Sequence, residues 1–372
     1  MVTLRVIVIL SVFLLVAVLF ITGCSLIHQA RLGSKPQGER LATLKQSPQY
    51  ADGQFQNVEP TPMLLEGESK LSIIISNIFS SSDNLQPTTT LPNRKVALKD
   101  LPVEKDLVIW LGHSSFYVHL GRKRILIDPV LSSYASPFSF MIKAFDGTSV
   151  YSVDDLPNID ALLISHDHWD HLDYDTVTAI RSSVETVFVP LGVGAHFESW
   201  GFEQQQIREA DWYDTLNIGD SLSIHLTPAR HYSGRGLSNR KTLWGGFVLE
   251  SDQQRLLFAG DSGYGVHFKA LGEQFGSFDL VALDMGQYDP RWPYIHMTPE
   301  QASQAATDLN SKVLLPAHIG RFTLAKHDWR EPFEKITELS SHTSYQLATP
   351  VIGDVVYLPI KNMTFEPWWR EH

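Results

Sequence analysis

From Asp106 onward, short apolar runs set off by Gly, Pro and Asp, with a few helical stretches between them, predict one α/β domain whose sheets are covered on both faces. The 372 residues are 43% hydrophobic, which is apolar material enough for one large core or two modest ones. An apolar leader and a polar arm precede the domain, with expected boundaries at 1–23, 24–105 and 106–372. Lys and Arg number 30 against 41 Asp and Glu, a formal charge of −11. Wrapping nucleic-acid phosphates needs the opposite balance, so no nucleic-acid partner is expected. One Cys excludes an intramolecular disulfide, a Cys-rich zinc finger and a CxxC pair, while 15 His supply ligands of another kind.

The leader carries one charge, Arg5, and then an apolar or small run from Val6 to Ile21. That run is short for a bilayer span of ~20 residues and fits an export signal. The tetrad Ile21-Thr22-Gly23-Cys24 resembles a bacterial lipobox, which implies lipidation of Cys24 and a protein tethered to a membrane. Ser25 in place of Asp after the Cys implies the outer membrane of a Gram-negative cell envelope. The alternative is an uncleaved signal-anchor helix. The arm is polar, with Pro36, Pro48, Pro60 and Pro62 and a Ser/Thr-rich stretch from Ser80 to Thr90. Within it, Leu71, Ile74, Ile75, Ile78 and Phe79 recur at helical spacing and predict a short amphipathic helix docked on the domain.

In the domain, strands are expected at Leu107–Leu111, Phe116–Leu120, Arg124–Ile127, Ala161–Ile164 and Thr186–Val189. Further strands follow at Leu222–Leu226, Gly246–Leu249, Arg255–Phe258, Leu280–Leu283 and Lys312–Leu315. Thr298-Pro299-Glu300-Gln301 has a Thr N-cap, Pro at the first helical position and Gln at N3, a capping-box start for a helix through about Leu309. Asp175–Arg181 and Pro332–Leu339 are the other helical stretches.

Chemistry concentrates at His166-Asp167-His168-Trp169-Asp170-His171, directly after a buried strand. Imidazole nitrogen and carboxylate oxygen are the donors a borderline cation such as Zn²⁺ accepts. Three single residues downstream each end an apolar run beside a Gly or Pro: His231, Asp261 and His318. Loops on a rigid scaffold present ligands in this way, and together with the HxHxDH cluster they make His₃ and Asp-His₂ sets sharing one Asp.

The order HxHxDH, His, Asp, His resembles the metallo-β-lactamase superfamily, which implies a four-layer αβ/βα sandwich with metals at the edge between two sheets. The sequence is more closely similar to the N-acylphosphatidylethanolamine phospholipase D family. That similarity is carried by Trp110-Leu111-Gly112-His113, Asp128-Pro129 with Ala135-Ser136-Pro137, Leu156 to Ala161, His166 to Tyr174 and Val189 to Gly192. It continues in Leu243-Trp244-Gly245, Phe258 to Tyr264, and Pro290-Arg291-Trp292 leading to His296.

Carried over residue by residue, the resemblance implies two Zn²⁺ per chain. His166, His168 and His231 would hold one; Asp170, His171 and His318 the other; Asp261 would bridge. It implies that Asp170 accepts a hydrogen bond from the attacking hydroxide and that His113 and Asp128 fix imidazole tautomers behind the ligands. His296 would protonate a leaving alkoxide, and Trp292 and Tyr264 would wall the substrate site. The sequence departs from the family at Asp284, Ile319 and Arg321; Arg321 is read either as a bidentate clamp on phosphate or as a surface Arg. The implied substrate is a membrane phospholipid and the implied activity a phosphodiesterase. A lactonase or amidase on the same metals, and a non-catalytic envelope lipoprotein, are the alternatives. Arg230, Arg235, Arg240, Lys241 and Arg321 crowd two of the motifs, and a cationic site would favour phosphorus over a carbonyl.

Overall fold

A computed structural model describes residues 29–68, 84–236, 238–360 and 363–372. Cys24, the leader and the helix expected over 71–79 lie outside the described residues.

The arm contributes α1 (Gly38–Leu44) and a two-residue hairpin, β1 (Tyr50–Ala51) with β2 (Gln54–Phe55). Leu44 and Phe55 are fully buried in the main core, so this stretch is seated on the domain. The domain begins with β3 (Leu107–Gly112), β4 (Ser115–Leu120), β5 (Lys123–Ile127) and β6 (Ile159–Leu163). Next come α2 (Tyr174–Ala179), β7 (Val184–Pro190), α3 (Gly194–Ser199) and β8 (Ile207–Ala210). The second half runs through β9 (Thr215–Ile218), β10 (Leu222–Thr227), β11 (Gly246–Glu250), β12 (Arg255–Phe258), α4 (Val266–Phe275) and β13 (Leu280–Asp284). It ends with α5 (Pro299–Asp308), β14 (Val313–Ala317), α6 (Glu331–Ser340), β15 (Gln346–Leu347) and β16 (Val355–Tyr357).

Two seven-stranded sheets result, ordered β16-β3-β4-β5-β6-β7-β8 and β15-β14-β13-β12-β11-β10-β9. Each is antiparallel in one half and parallel in the other, with the change at β5–β6 and at β12–β13. Side chains alternate across a strand, and β3 divides accordingly: Val108 and Trp110 enter the core between the sheets, while Leu107, Ile109 and Leu111 pack outward with Val177 of α2 and Phe197 of α3. Phe116 meets Phe258 across the sandwich with ring centroids 4.9 Å apart, locking the two sheets face to face. The outer face of the second sheet is covered by Phe268 and Leu271 of α4, the alanines Ala302, Ala305 and Ala306 of α5, and Phe333 and Ile336 of α6. Helix, sheet, sheet and helix make the four expected layers.

The capping box holds as predicted: Thr298 Oγ1 accepts from Gln301 N, and Gln301 Oε1 accepts from Thr298 N at 3.0 Å. Strands β8, β9, β15 and β16 in the domain, the β1–β2 hairpin of the arm, and helices α1, α3 and α4 are additions to the predicted set. The four strands are short and lie at the sheet edges or next to them, where no buried apolar run marks a strand.

Candidate metal centre and its cavity

The C-terminal ends of β6, β10, β12 and β14 converge at one edge of the sandwich, one strand from the first sheet and three from the second. After β6, Ser165 is pinned by Asp128, whose carboxylate accepts from Ser165 N at 2.7 Å and from Ser165 Oγ at 2.6 Å. The chain then turns, with His171 N and Leu172 N both donating to His168 O. That turn faces His166 and His168 one way and Asp170 and His171 another. The second sheet supplies His231 after β10, Asp261 after β12 and His318 after β14.

Two clusters form. His168 Nδ1 lies 2.8 Å from His166 Nε2 and 3.2 Å from His231 Nε2. Asp261 Oδ2 stands 3.8 and 3.7 Å from those two Nε2 atoms. In the other cluster Asp170 Oδ2 is 3.1 Å from His318 Nε2 and 3.6 Å from His171 Nε2. Asp261 reaches this one as well, at 3.1 Å from His171 Nε2 and 3.2 Å from His318 Nε2. Asp261 is therefore common to both.

The outer nitrogens are anchored so that lone pairs point inward. His231 Nδ1–H donates to Ile295 O at 2.9 Å, and His171 Nδ1–H to Asp128 Oδ2 at 2.8 Å. Ser165 Oγ spends its proton on Asp128, so it accepts from His166 Nδ1 at 3.0 Å and leaves His166 Nε2 unprotonated. Burial pushes His166 and His231 well below the usual imidazole range, and His168 down as well. Burial opposes the charge on Asp170 and Asp261 too, but the surrounding imidazoles, His171 foremost, hold both well below the carboxylate range. His171 shows the converse: burial lowers it, yet Asp261, Asp170 and Asp128 raise it well above 6.5.

These residues fit a cation. His168 Nδ1 and the Nε2 atoms of His166 and His231 turn toward one point, with Nδ1 2.8 and 3.2 Å from the other two. His171 Nε2 and Asp261 Oδ1 are buried without a hydrogen-bond partner although they face each other at 3.1 Å. Orphaned buried polar groups are costly unless an ion takes them up. The donor set is nitrogen and carboxylate oxygen with no sulfur, the set that suits zinc-like cations.

A cavity of about 510 Å³ opens over the clusters, reaching His168, Asp170, His231, Asp261 and His318. Trp169, Tyr232, Trp292, Met63, Leu64, Ile142 and Leu324 line it, together with His296. His296 Nδ1 donates to Asp284 Oδ2 at 2.7 Å, and its ring stacks on His318 at 4.8 Å. Asp128 sits behind His171 as expected. His113 differs: its Nε2 contacts Asp170 Oδ2 at 2.9 Å rather than a ligand imidazole, and burial, then His318, push its pKa down to about 4.

Two expected substrate residues, one for the wall and one for phosphate, are elsewhere. Tyr264 turns its hydroxyl to Asp308 Oδ2 at 2.6 Å and does not line the cavity. Arg321 is buried beneath the site, donating to Leu111 O and Ser132 O at 2.9 and 3.1 Å, so it cannot clamp a substrate phosphate. The other expected cations are spent likewise: Arg235 on Arg31 O, Asp167 O and Leu172 O, Arg230 on Pro60 O, Thr61 Oγ1 and Tyr264 O, Arg240 on Thr61 O, and Lys241 on Gly53 O. Among the described residues no Arg or Lys lines the cavity. Neighbourhood in sequence did not become neighbourhood at the site, because unpaired loop carbonyls captured these donors first.

Three contributors were not predicted. Asn57 of the arm accepts from His231 N and donates to His231 O, holding the ligand's backbone from outside. Gln287 caps the loop after β14 by accepting from Leu324 N and Ala325 N. Asp284, noted only as a departure, is the fully buried partner of His296. Its position at the end of an apolar strand was the available signal.

A model described as a beta-lactamase superfamily domain matches residues 123–319. The chain is 37% identical over 345 residues to Mycobacterium tuberculosis protein Rv0906, covering 92% of each. It is 32% identical over 272 residues to the N-acyl-phosphatidylethanolamine-hydrolyzing phospholipase D 1 of Caenorhabditis elegans, covering 69% of this chain and 76% of that one. Over 102 residues it is 52% identical to the outer membrane protein RomA of Klebsiella pneumoniae, 27% of this chain and 77% of RomA. Among solved structures it resembles Igni18, a metallo hydrolase from Ignicoccus hospitalis, with a TM-score of 0.53 at 22% identity, covering 69% of this chain and 100% of Igni18.

Proposed function

The chain belongs to the metallo-β-lactamase superfamily and is a metal-dependent hydrolase; from that premise we propose a membrane-tethered dinuclear zinc phosphodiesterase of the phospholipase D type. Its substrate is N-acylphosphatidylethanolamine or a related phospholipid, cleaved to phosphatidic acid and an N-acylethanolamine. The observation that carries this reading is the cavity: apolar and aromatic walls suited to acyl chains end on the His/Asp clusters. The relative from Caenorhabditis elegans, named for this reaction, supports it. Tethering is supported by the lipobox-like Cys24 and by likeness to a protein named for the outer membrane, while no helix among the described residues is long and apolar enough to span a bilayer.

His166, His168 and His231 hold one ion in this proposal, Asp170, His171 and His318 the other, with Asp261 common to both. When bound, such a pair supplies an acidified water and positive charge against a phosphoryl oxygen. Asp170 Oδ2 is occupied by His113 and His318, which leaves Oδ1 to take the water's hydrogen. His296 Nδ1–H donates a hydrogen bond to Asp284 Oδ2, so the proton for the departing alkoxide of the N-acylethanolamine would be a second one, carried at Nε2, leaving a neutral ring still bonded to Asp284.

One observation favours the second reading, an amidase or lactonase: the described cavity wall has no cation for phosphate. Turnover of an N-acylated phosphatidylethanolamine in ¹⁸O-water separates the two. Label in phosphatidic acid, with none in the N-acylethanolamine or in free fatty acid, is the expected outcome, and His296→Ala then slows turnover without loss of zinc. Label in fatty acid overturns the phosphodiesterase reading.

A further inference from the structure

The hairpin from Tyr134 to Lys143 joins the cavity to a patch the chemistry above does not use. Its two ends pair through a bridge between Tyr134 and Lys143 and a hydrogen bond from Ala135 N to Ile142 O at 3.0 Å. Ala135 and Ile142, at its base, form part of the cavity wall. Its tip carries Phe138, Phe140 and Met141, 40%, 72% and 46% exposed, with the two rings 5.5 Å apart. Three neighbouring large apolar residues facing water on one tight turn are unusual for a soluble surface. From Pro129 to Phe145 there is no carboxylate and one cation, Lys143, in a chain of net charge −11.

A second, independent observation lies in where the chain enters. The apolar run Val6–Ile21 precedes the described chain, which begins at Gln29. Arg31 then donates to Pro137 O, on this hairpin, and pairs with Asp175 at 2.9 Å. Leu32, 41% exposed, lies beside Gly236 of the cavity wall. Leu65, 39% exposed, follows the lining residues Met63 and Leu64. Residues 29–32, where the described chain begins, thus lie beside both the exposed hairpin and the cavity wall.

We infer that the Tyr134–Lys143 hairpin docks in a phospholipid surface, with Phe138, Phe140 and Met141 among the acyl chains, so that the cavity opens onto the bilayer. A lipid surface takes up apolar side chains flanked by a lone cation and repels clustered carboxylates, which is the composition of this tip. Docking of the hairpin rests on the lipid reading of the substrate, but its test needs no turnover, so failure of one is visible apart from failure of the other.

The test uses full-length chain carrying Phe140→p-benzoylphenylalanine, on vesicles of phosphatidylethanolamine and phosphatidylglycerol, with photolysis and mass analysis of adducts. The control carries the same group at Tyr357, 46% exposed and paired with Leu107 at the end of β3 remote from His113. Tethering alone brings both positions near lipid; docking brings only one. The expected result is lipid adduct at position 140 about tenfold above that at 357, a preference of ~1.4 kcal/mol. Equal adducts at both positions overturn the inference. So do adducts at 140 that map to residues 69–83 of the same chain or to a second copy, with no lipid.

Discussion

Asp128→Asn isolates what one carboxylate behind the ligands contributes to metal binding. The side chain is buried, keeps its volume, and sits at φ 43°, a left-handed conformation that Asn tolerates. Asp128 accepts three hydrogen bonds: from Ser165 N at Oδ1, and from Ser165 Oγ and His171 Nδ1 at Oδ2. An amide offers one acceptor. If its oxygen stays at Oδ1, the NH₂ group can donate to Ser165 Oγ, but His171 Nδ1–H meets another donor. The imidazole then shifts its proton to Nε2, the atom that faces Asp261 Oδ1 at 3.1 Å. Turning the amide over sacrifices the 2.7 Å bond to Ser165 N instead. Either way a hydrogen bond to a charged group is lost, ~1.5–3 kcal/mol. That corresponds to about 10–100-fold in affinity, the range usual for partners behind metal ligands. Stepwise zinc titration of metal-free protein against a chromophoric chelator reads it directly. One of two binding constants falls by that factor, and the other, belonging to the His166/His168/His231 cluster, stays within about threefold, less than ~1 kcal/mol. Two unchanged constants, or two that fall together, refute the assignment of His171 to one site.

Arg321→Met leaves Leu111 O and Ser132 O without their donor, and urea unfolding should show a loss of about 1–3 kcal/mol with activity per folded molecule retained; a fully stable, inactive variant returns this residue to the substrate. His267, buried against Ser262 with Nε2 3.1 Å from Oγ, is pushed down to about 3 by burial and then by Arg230. Its folded pKa lies below the unfolded value, so the neutral ring contributes stability that is full above pH ~6.5 and is lost as pH falls toward ~3, by about 1.4 kcal/mol per unit. The unfolding free energy of His267→Gln should therefore decline less steeply than wild type across that window, and parallel profiles contradict this.

The ligands were legible because each ends a buried strand, where an apolar run stops at a polar residue beside Gly or Pro. Strand β9 lacked that mark: Leu216 and Ile218 are only half-buried and alternate with exposed Thr215 and Asn217 at the sheet edge. Helix α4 was hidden by Gly272, which is required because any Cβ there would lie 2.1 Å from Asp308 O. Direction was the harder loss. Spacing placed Arg321 and Arg235 near the motifs, but whether a long side chain points to solvent, to substrate or to a carbonyl depends on contacts distant in sequence. The cavity wall shows the same limit, since Met63, Ile142, Trp292 and Leu324 come from four separate stretches and meet only after folding.

His113, Asp128 and His318 all hang from left-handed backbone, at φ 56°, 43° and 61°. Such residues cost about 1–3 kcal/mol each, and a whole domain is stable by only about 5–15 kcal/mol. The metal-free chain therefore holds its centre open at the expense of a large fraction of its folding free energy. Bound metal adds RT ln(1 + [L]/Kd) to the folded side alone. Metal scarcity is thus expected to enlarge the unfolded, protease-accessible fraction of this hydrolase as well as to silence it.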